Sequence, residues 1–160
     1  MSTVVALLIT IAICVASAIL EGVMAGSNVK PYFAGLQQPR YAVSLKAWYA
    51  IGVLYYLVCG VVLYRMLRHP EDTDRWTIAF VLIVVMMSAN AFWNYIFFRA
   101  RNLFISFLAF GPYIVVTLSL IVALSRLDHI AAFLIFIYLL YLVYAFTWSY
   151  RLWHLNRADN

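Results

Sequence analysis

Three polar side chains interrupt apolar runs of this sequence, and these side chains are the ones that could do chemistry. Glu21 lies near the end of the first run, and Asn90 and Asn94 lie near the end of the third. A polar group inside a bilayer is costly unless it faces a cavity or another polar group. Trp93 follows Asn90 by three residues, so an amide and an indole share one helical face. For Glu21 the sequence favours a carboxylate that reaches the membrane interface, and a carboxylate that faces an internal cavity is the alternative.

The composition predicts an integral membrane protein. Hydrophobic residues make up 67% of the chain, charged residues 11%, and the mean hydropathy is +0.94. Soluble domains contain about 45–50% apolar and about 25% charged residues. The net charge of +5 comes from Lys and Arg beside the apolar runs, so the expected partner is the lipid bilayer and no nucleic acid is expected. Cys14 and Cys59 lie inside apolar runs and have neither metal-site nor disulfide-framework spacing.

Five apolar runs reach the length of roughly 20 residues that a transmembrane helix needs. The sequence therefore predicts an all-α bundle of five transmembrane helices, forming a single domain over residues 1–160. The predicted helices cover about 3–25, 42–67, 76–98, 103–124 and 130–153. The first loop contains Pro, Gly and several apolar residues, which fits either a segment that rests on lipid headgroups or a lid over a cavity.

The distribution of Lys and Arg predicts the orientation. The side that holds the N-terminus and the second and fourth loops has four, whereas the first and third loops with the C-terminus have seven. Cytoplasmic segments carry the excess of basic residues. The N-terminus is therefore predicted outside and the C-terminus in the cytoplasm.

The fifth apolar run carries aromatic and small residues at steps of three and four, which mark one face of a helix. This face consists of Tyr138, Tyr141, Tyr144, Ala145 and Trp148. It fits packing between helices, or the wall of a pocket for a flat apolar ligand. The sequence has no Ser-His-Asp set, no Gly-rich phosphate loop and no His or Cys pair at metal-ligand spacing, so no catalytic residue and no metal site are predicted.

These motifs, in their order along the chain, resemble the TspO/MBR family of translocator and tryptophan-rich sensory proteins. The strongest match is the third-helix signature Asn-x-x-Trp-x-x-x-Phe-Phe, which corresponds to Asn90, Trp93, Phe97 and Phe98 and is followed by Arg101. The first-loop run from Tyr32 to Tyr41 is similar to the family's aromatic-pair, Leu and Lys-Pro segment. The resemblance extends over nearly the whole chain.

The sequence departs from the family pattern at several positions. Val43-Ser44 stands in place of a Pro-Pro pair, and Gln38 in place of a Lys. Gly52 and Tyr141 stand where the family has tryptophans. The chain is therefore similar to a divergent member.

The resemblance implies a membrane receptor for porphyrin, haem or sterol-like apolar ligands, held between the five helices under the first loop, with a transport, sensory or regulatory role. The resemblance also implies that the protein has no covalent cofactor and that porphyrin or haem can be its ligand. It further implies that the protein forms a homodimer. The resemblance implies that some members degrade porphyrin in light through tryptophans of the pocket. That activity is not expected here, because Gly52 and Tyr141 stand in place of those tryptophans. The implied ligand-binding residues are Tyr32, Trp48, Gly52, Asn90, Trp93, Phe97, Tyr138, Tyr141 and Ala145.

Two other functions fit the same sequence. One is a membrane enzyme that converts a lipid or tetrapyrrole in the same cavity, with Glu21 or a tyrosine to handle protons. The other is a structural or regulatory membrane partner that binds no ligand, in which the aromatic residues only pack. A cavity along the fifth helix distinguishes the binding protein from this last alternative.

Overall fold

The computed structural model describes residues 1–70 and 74–157, and it is helical throughout most of that part of the chain. Two short helices and a π-helical turn accompany the long helices. The elements are α1 (Thr3–Ala25), α2 (Val29–Gly35), α3 (Leu45–Arg68), α4 (Asp74–Asn94), the π-turn (Tyr95–Arg99), α5 (Leu103–Leu108), α6 (Phe110–Leu124) and α7 (His129–Asn156).

Five helical segments of the described residues are long and apolar enough to cross a membrane. They are Thr3–Ala25, Leu45–Arg68, Asp74–Arg99, Leu103–Leu124 and His129–Asn156. The predicted all-α class and five-span architecture are confirmed. The observed spans begin and end within three residues of the predicted ones. The first loop was not predicted as a helix, but seven of its residues form α2.

Side-chain caps explain where several helices begin. Ser44 Oγ accepts a hydrogen bond from the Ala47 N–H at 3.3 Å, so α3 begins after the loop residues 42–44 and not at residue 42. Asn102 Oδ1 accepts from the Ile105 N–H at 2.9 Å at the start of α5. Such caps satisfy the first N–H groups of a helix, which have no partner within it.

The core of the bundle is formed mainly by α3, α4, α6 and α7, whereas α1 is peripheral. Only Ala6 and Thr10 of α1 are buried, Ile13 and Cys14 are half-buried against the core, and most of its other apolar residues are exposed. In a bilayer the exposed residues contact lipid. α4 packs along α6, as the short loop between the third and fourth spans predicts.

Two irregularities interrupt the spans. The third span ends in the π-turn, where the helix widens and both Ile96 and Phe97 are buried. The fourth span breaks at Ala109, three residues before Pro112, which has no N–H to continue the helical ladder. Both irregularities lie beside the cavity described below.

An ion pair links α3 to the start of α7. Arg65 Nε donates to Asp128 Oδ2 at 2.6 Å, and Arg65 Nη2 donates to Oδ1 at 3.1 Å. Asp128 also caps α7, because its Oδ1 accepts from the N–H groups of Ile130 and Ala131. Burial acts against the charged form of Asp128, but the hydrogen bonds from Arg65 and from the two backbone groups hold its pKa below the ordinary value of 3.8.

Replacing Asp128 tests these two roles separately. Asp128→Asn keeps a good cap and loses the ion pair, which we expect to cost about 1 kcal/mol at a partly exposed site. Asp128→Ala loses both interactions and should cost about 1 kcal/mol more. Because the pKa of Asp128 is lower in the folded protein, the stabilisation by its charge is complete above about pH 4 and disappears as the pH decreases further. Thermal unfolding in detergent as a function of pH measures this, and an Asp128→Asn deficit that persists unchanged at low pH would contradict it.

Candidate functional site

A cavity of about 500 Å³ lies inside the bundle, between α1, α3, α4, α6 and α7 and beneath α2. Its surface is mostly apolar. The residues that line it are Ala18, Glu21, Gly22, Ala25, Gly26, Val29, Phe33, Leu45, Trp48, Tyr49, Ile51, Gly52, Val53, Tyr55, Tyr56, Asn90, Trp93, Asn94, Phe97, Phe98, Phe110, Tyr113, Tyr138, Tyr141, Leu142 and Trp148. The bundle is therefore hollow along α7, which is the observation that argues against a purely packed interior.

Tryptophan and phenylalanine rings form one wall of the cavity. Trp93 and Phe97 stack with their centroids 4.9 Å apart, since four residues bring them to the same helical face. Trp148 of α7 joins this wall, at 4.8 Å from Trp48 and 5.5 Å from Phe97. The Trp93 Nε1–H donates to the Ser106 carbonyl at 3.0 Å, which fixes the orientation of its indole. These contacts give the wall a defined shape.

Glu21 is the centre of a small polar cluster that also lines the cavity. Tyr56 Oη donates to Glu21 Oε2 at 2.6 Å, and Asn90 Nδ2 donates to the same oxygen at 2.8 Å. The three residues come from α1, α3 and α4, so the cluster joins three helices. Asn94 lies beside it and donates to the Asn90 carbonyl at 3.0 Å. Glu21 therefore faces the cavity and other polar groups, which favours the internal site over the interfacial position for this residue.

The segment between α1 and α3 covers one end of the cavity. Phe33 of α2 is buried, lines the cavity and stacks against Trp148 with centroids 6.5 Å apart. The chain after α2 is held on α7 by a pair of hydrogen bonds, because the Gln37 N–H donates to Asn156 Oδ1 at 2.9 Å and Asn156 Nδ2 donates to the Gln37 carbonyl at 3.0 Å. Trp148 Nε1 also donates to Gln38 Oε1 at 3.3 Å. This geometry matches a lid and not a segment that only rests on headgroups.

A gap between α1 and α3 leads from the side of the bundle to the cavity. A Cβ added at Gly60 would be 3.6 Å from Cys14 Sγ, so the two helices are in contact at that level. A Cβ added at Gly22 or Gly52 would meet nothing within 4 Å. Tyr49 lines the cavity and is 58% exposed, so the cavity is accessible along this edge.

The structure brings together most of the residues that the sequence implied. Seven of the nine line the cavity, namely Trp48, Gly52, Asn90, Trp93, Phe97, Tyr138 and Tyr141. Tyr32 and Ala145 do not. Tyr32 lies above the wall, 5.7 Å from Phe97 by ring centroids and under the Arg101 guanidinium, and burial raises the pKa of its hydroxyl. Ala145 is 1% exposed and is packed in the core. Contact between these residues and a ligand stays a prediction.

Several lining residues were absent from the predicted site. Trp148 was on the predicted aromatic face of the fifth helix, and its seven-residue spacing from Tyr141 could have identified it. Tyr55 and Tyr56 both reach the cavity, although they are consecutive residues on α3. Phe33 lies in the first loop, for which the sequence predicts no regular structure. No local pattern in the sequence indicates these last three residues.

A comparison with protein families finds one family that matches this chain. The model of the TspO/MBR family matches residues 10–154, which is nearly the whole chain. The chain belongs to the TspO/MBR family. A comparison with curated proteins finds no match.

Membership of the TspO/MBR family supports a general role in binding or transporting ligands in a membrane. The five spans and the hollow bundle of this TspO/MBR protein agree with such a role. The protein is an integral, multi-pass membrane protein whose partner is the lipid bilayer.

Removing the Asn156 amide tests whether it holds the lid. Asn156→Ala deletes both hydrogen bonds to Gln37, each worth about 1 kcal/mol, so we expect amide exchange in the segment 36–38 to become about tenfold faster or more. Hydrogen–deuterium exchange measures this directly. Asn102→Ala is the matched control, because it removes an amide that caps α5 and makes no hydrogen bond to the lid. Equal exchange in wild type and Asn156→Ala would show that other contacts hold the segment.

Proposed function

We propose that this protein binds a flat, mainly apolar molecule of tetrapyrrole or sterol type in the cavity between its helices. The observation that carries the proposal is the cavity of about 500 Å³ with tryptophan, tyrosine and phenylalanine walls. Ligand sites of this kind are mostly apolar, have volumes of about 300–1,000 Å³ and contain a few polar groups that orient the ligand. The transport, sensory or regulatory consequence of binding belongs to the same proposal.

An unpaired indole supports the presence of a ligand. Trp48 lines the cavity, and its Nε1–H is buried with no hydrogen-bond partner among the described residues. Leaving a buried donor without an acceptor costs free energy. An acceptor on a bound molecule would remove that cost, and the aromatic rings around it would stack on a flat ring system.

The lining residues favour a metal-free porphyrin or a sterol over haem. Haem iron is held by His, Cys, Met or Tyr side chains. Of these, the lining residues of the described chain include only tyrosines. A haem in this cavity would therefore depend on a tyrosine hydroxyl or be held through its rim.

An enzyme that acts on a ligand in the same cavity is the second candidate. The short hydrogen bond from Tyr56 to Glu21 favours it, because a carboxyl and a phenol in contact can exchange a proton. Among the described lining residues there is no Ser, Cys, His or Lys to serve as a nucleophile. Incubating the purified protein with porphyrin in light and in the dark tests this candidate, and products that appear faster than with heat-denatured protein would support it.

Replacing Trp93 tests the binding function. Trp93→Ala removes one face of the aromatic wall, which should weaken porphyrin binding by about 1–3 kcal/mol, the value of one buried aromatic side chain. Titration with protoporphyrin in nanodiscs, followed by quenching of tryptophan emission, gives the dissociation constants. Trp148 and Trp48 remain to report binding in the variant.

Trp153→Ala is the control for this experiment. Trp153 packs against Phe104 and Phe107 and does not line the cavity, so the same truncation there should leave binding unchanged. Circular dichroism confirms that both variants fold. A wild-type protein that quenches with neither a porphyrin nor a fluorescent sterol would refute the proposed function.

We further propose the orientation and assembly that the sequence implies. The excess of seven basic residues over four supports a cytoplasmic C-terminus. A fluorescent protein that matures only in the cytoplasm, fused to the C-terminus, should fluoresce, whereas a dark fusion would reverse the orientation. The exposed apolar face of α1 is compatible with a homodimer in the membrane, and light scattering in detergent measures its mass.

A further inference from the structure

Glu21 brings a carboxylate to the wall of an otherwise apolar cavity, and nothing in the binding of a purely apolar ligand requires it. We propose that Glu21 is the counter-ion for a ligand that carries a protonated amine at one end and a flat apolar body. This proposal rests on the ligand-binding function proposed above and concerns only the ligand group that lies beside Glu21, so the acidic side chains of a porphyrin would have to lie away from Glu21.

The two hydrogen bonds to Glu21 orient its carboxylate and occupy one oxygen. Both the Tyr56 hydroxyl and the Asn90 amide donate to Oε2, at 2.6 and 2.8 Å. The donors come from α3 and α4, on two sides of α1, so the carboxylate is held in one position. Asn94 is a third donor close to the carboxylate. Oε1, to which neither Tyr56 nor Asn90 donates, is the oxygen that a ligand would reach.

The charges around the cavity make a cation the matching partner. Glu21 is the one ionisable acid or base of Asp, Glu, Lys, Arg and His type among the described residues that line the cavity. The ion pair among the described residues lies elsewhere, between Arg65 and Asp128. A carboxylate in a low-dielectric site is costly without a positive partner, and an ammonium group provides both the charge and a donor.

The aromatic walls fit the rest of such a ligand. Tyr56 contacts Glu21 directly, and Tyr49 and Trp48 lie on the same helix within the lining. Aromatic rings attract a cation through their faces and also stack on a flat apolar body. The gap between α1 and α3 at the level of Gly22 and Gly52 lies next to Glu21, so the charged end need not cross the aromatic interior.

The same arrangement disfavours an anionic ligand end. A carboxylate brought to Glu21 meets a like charge, and no Lys, Arg or His among the described lining residues offsets it. The cavity should therefore rank ligands of one shape in the order amine, alcohol, carboxylate.

Three pyrene derivatives that differ only in the end group test this order. They are 1-pyrenemethylamine, 1-pyrenemethanol and 1-pyrenecarboxylate, titrated into protein in zwitterionic phosphatidylcholine nanodiscs. Energy transfer from tryptophan to pyrene reports binding, and empty nanodiscs correct for partition into lipid. A hydrogen-bonded charge pair predicts that the amine binds about tenfold tighter than the alcohol or more, and the carboxylate more weakly than both.

Glu21→Gln removes the charge and keeps the size of the side chain. We expect amine affinity to decrease about tenfold, alcohol affinity to change little, and carboxylate affinity to increase. Trp153→Ala is the control, because Trp153 does not line the cavity, so the order of the three affinities should stay unchanged.

The outcomes separate this inference from the proposed function. If wild type binds neither the three probes nor a porphyrin or sterol, the ligand-binding function itself fails. If it binds a porphyrin or sterol but not the amine probe, only the role of Glu21 as a counter-ion is refuted. If wild type binds the alcohol but prefers neither amine nor carboxylate, the cavity binds ligands and the role of Glu21 as a counter-ion is refuted. That ranking is measured on the wild-type protein, so it decides the matter even if Glu21→Gln does not fold.

Discussion

The cavity depends on one constraint, which is that α1 approaches α3 closely at one level and not at the other. At Gly60 α3 lies next to Cys14 of α1, and a Cβ added there would be in ordinary contact with Cys14 Sγ at 3.6 Å. One to two turns away, Glu21, Tyr56 and Asn90 take the place of direct packing, and their hydrogen bonds join three helices across a wider space. A polar cluster of this kind can hold helices together without filling the volume between them, because its hydrogen bonds connect side-chain tips and not backbones. The close contact at one level and the polar cluster at the other thus determine where the bundle is solid and where it is hollow.

The lid depends on the same kind of interaction, made near the end of α7. Asn156 is near the end of α7, and its amide pairs with both backbone groups of Gln37. Tyr41 and Tyr144 add a second link, in which Tyr41 Oη donates to the Thr147 carbonyl and Tyr144 Oη donates to the Tyr41 carbonyl. The long fifth span therefore supplies one wall of the cavity and also the anchor of its cover. A change in the tilt of α7 would move both together.

The sequence predicts the spans well, because a helix that crosses the bilayer needs an apolar run as long as the hydrocarbon core is thick. The resemblance to the family implies Trp93, Phe97, Tyr138 and Tyr141 as site residues, and all four line the cavity. Helical spacing by itself shows only that Tyr138 and Tyr141 share a face, which fits packing as well as a pocket wall. The sequence does not identify α2, which has only seven residues and contains Pro31 and Gly35, so local propensity gives no helical signal. The contacts of Glu21 could not be predicted either. They depend on how α1, α3 and α4 are rotated relative to one another, and no pattern within a single helix records that rotation.

The π-turn at Tyr95–Arg99 has a consequence for how the chain tolerates changes in length. Each residue of a regular α-helix advances the side chains by about 100° around the axis. A π-turn accommodates an additional residue within the helix, and here Phe97 and Phe98, which lie in the turn, both line the cavity. Deleting one residue there would leave a continuous helix of the usual pitch but would rotate all that follows it, including the short connection to α5. The third span thus carries its own adjustment of register, located where two adjacent aromatic rings line the cavity.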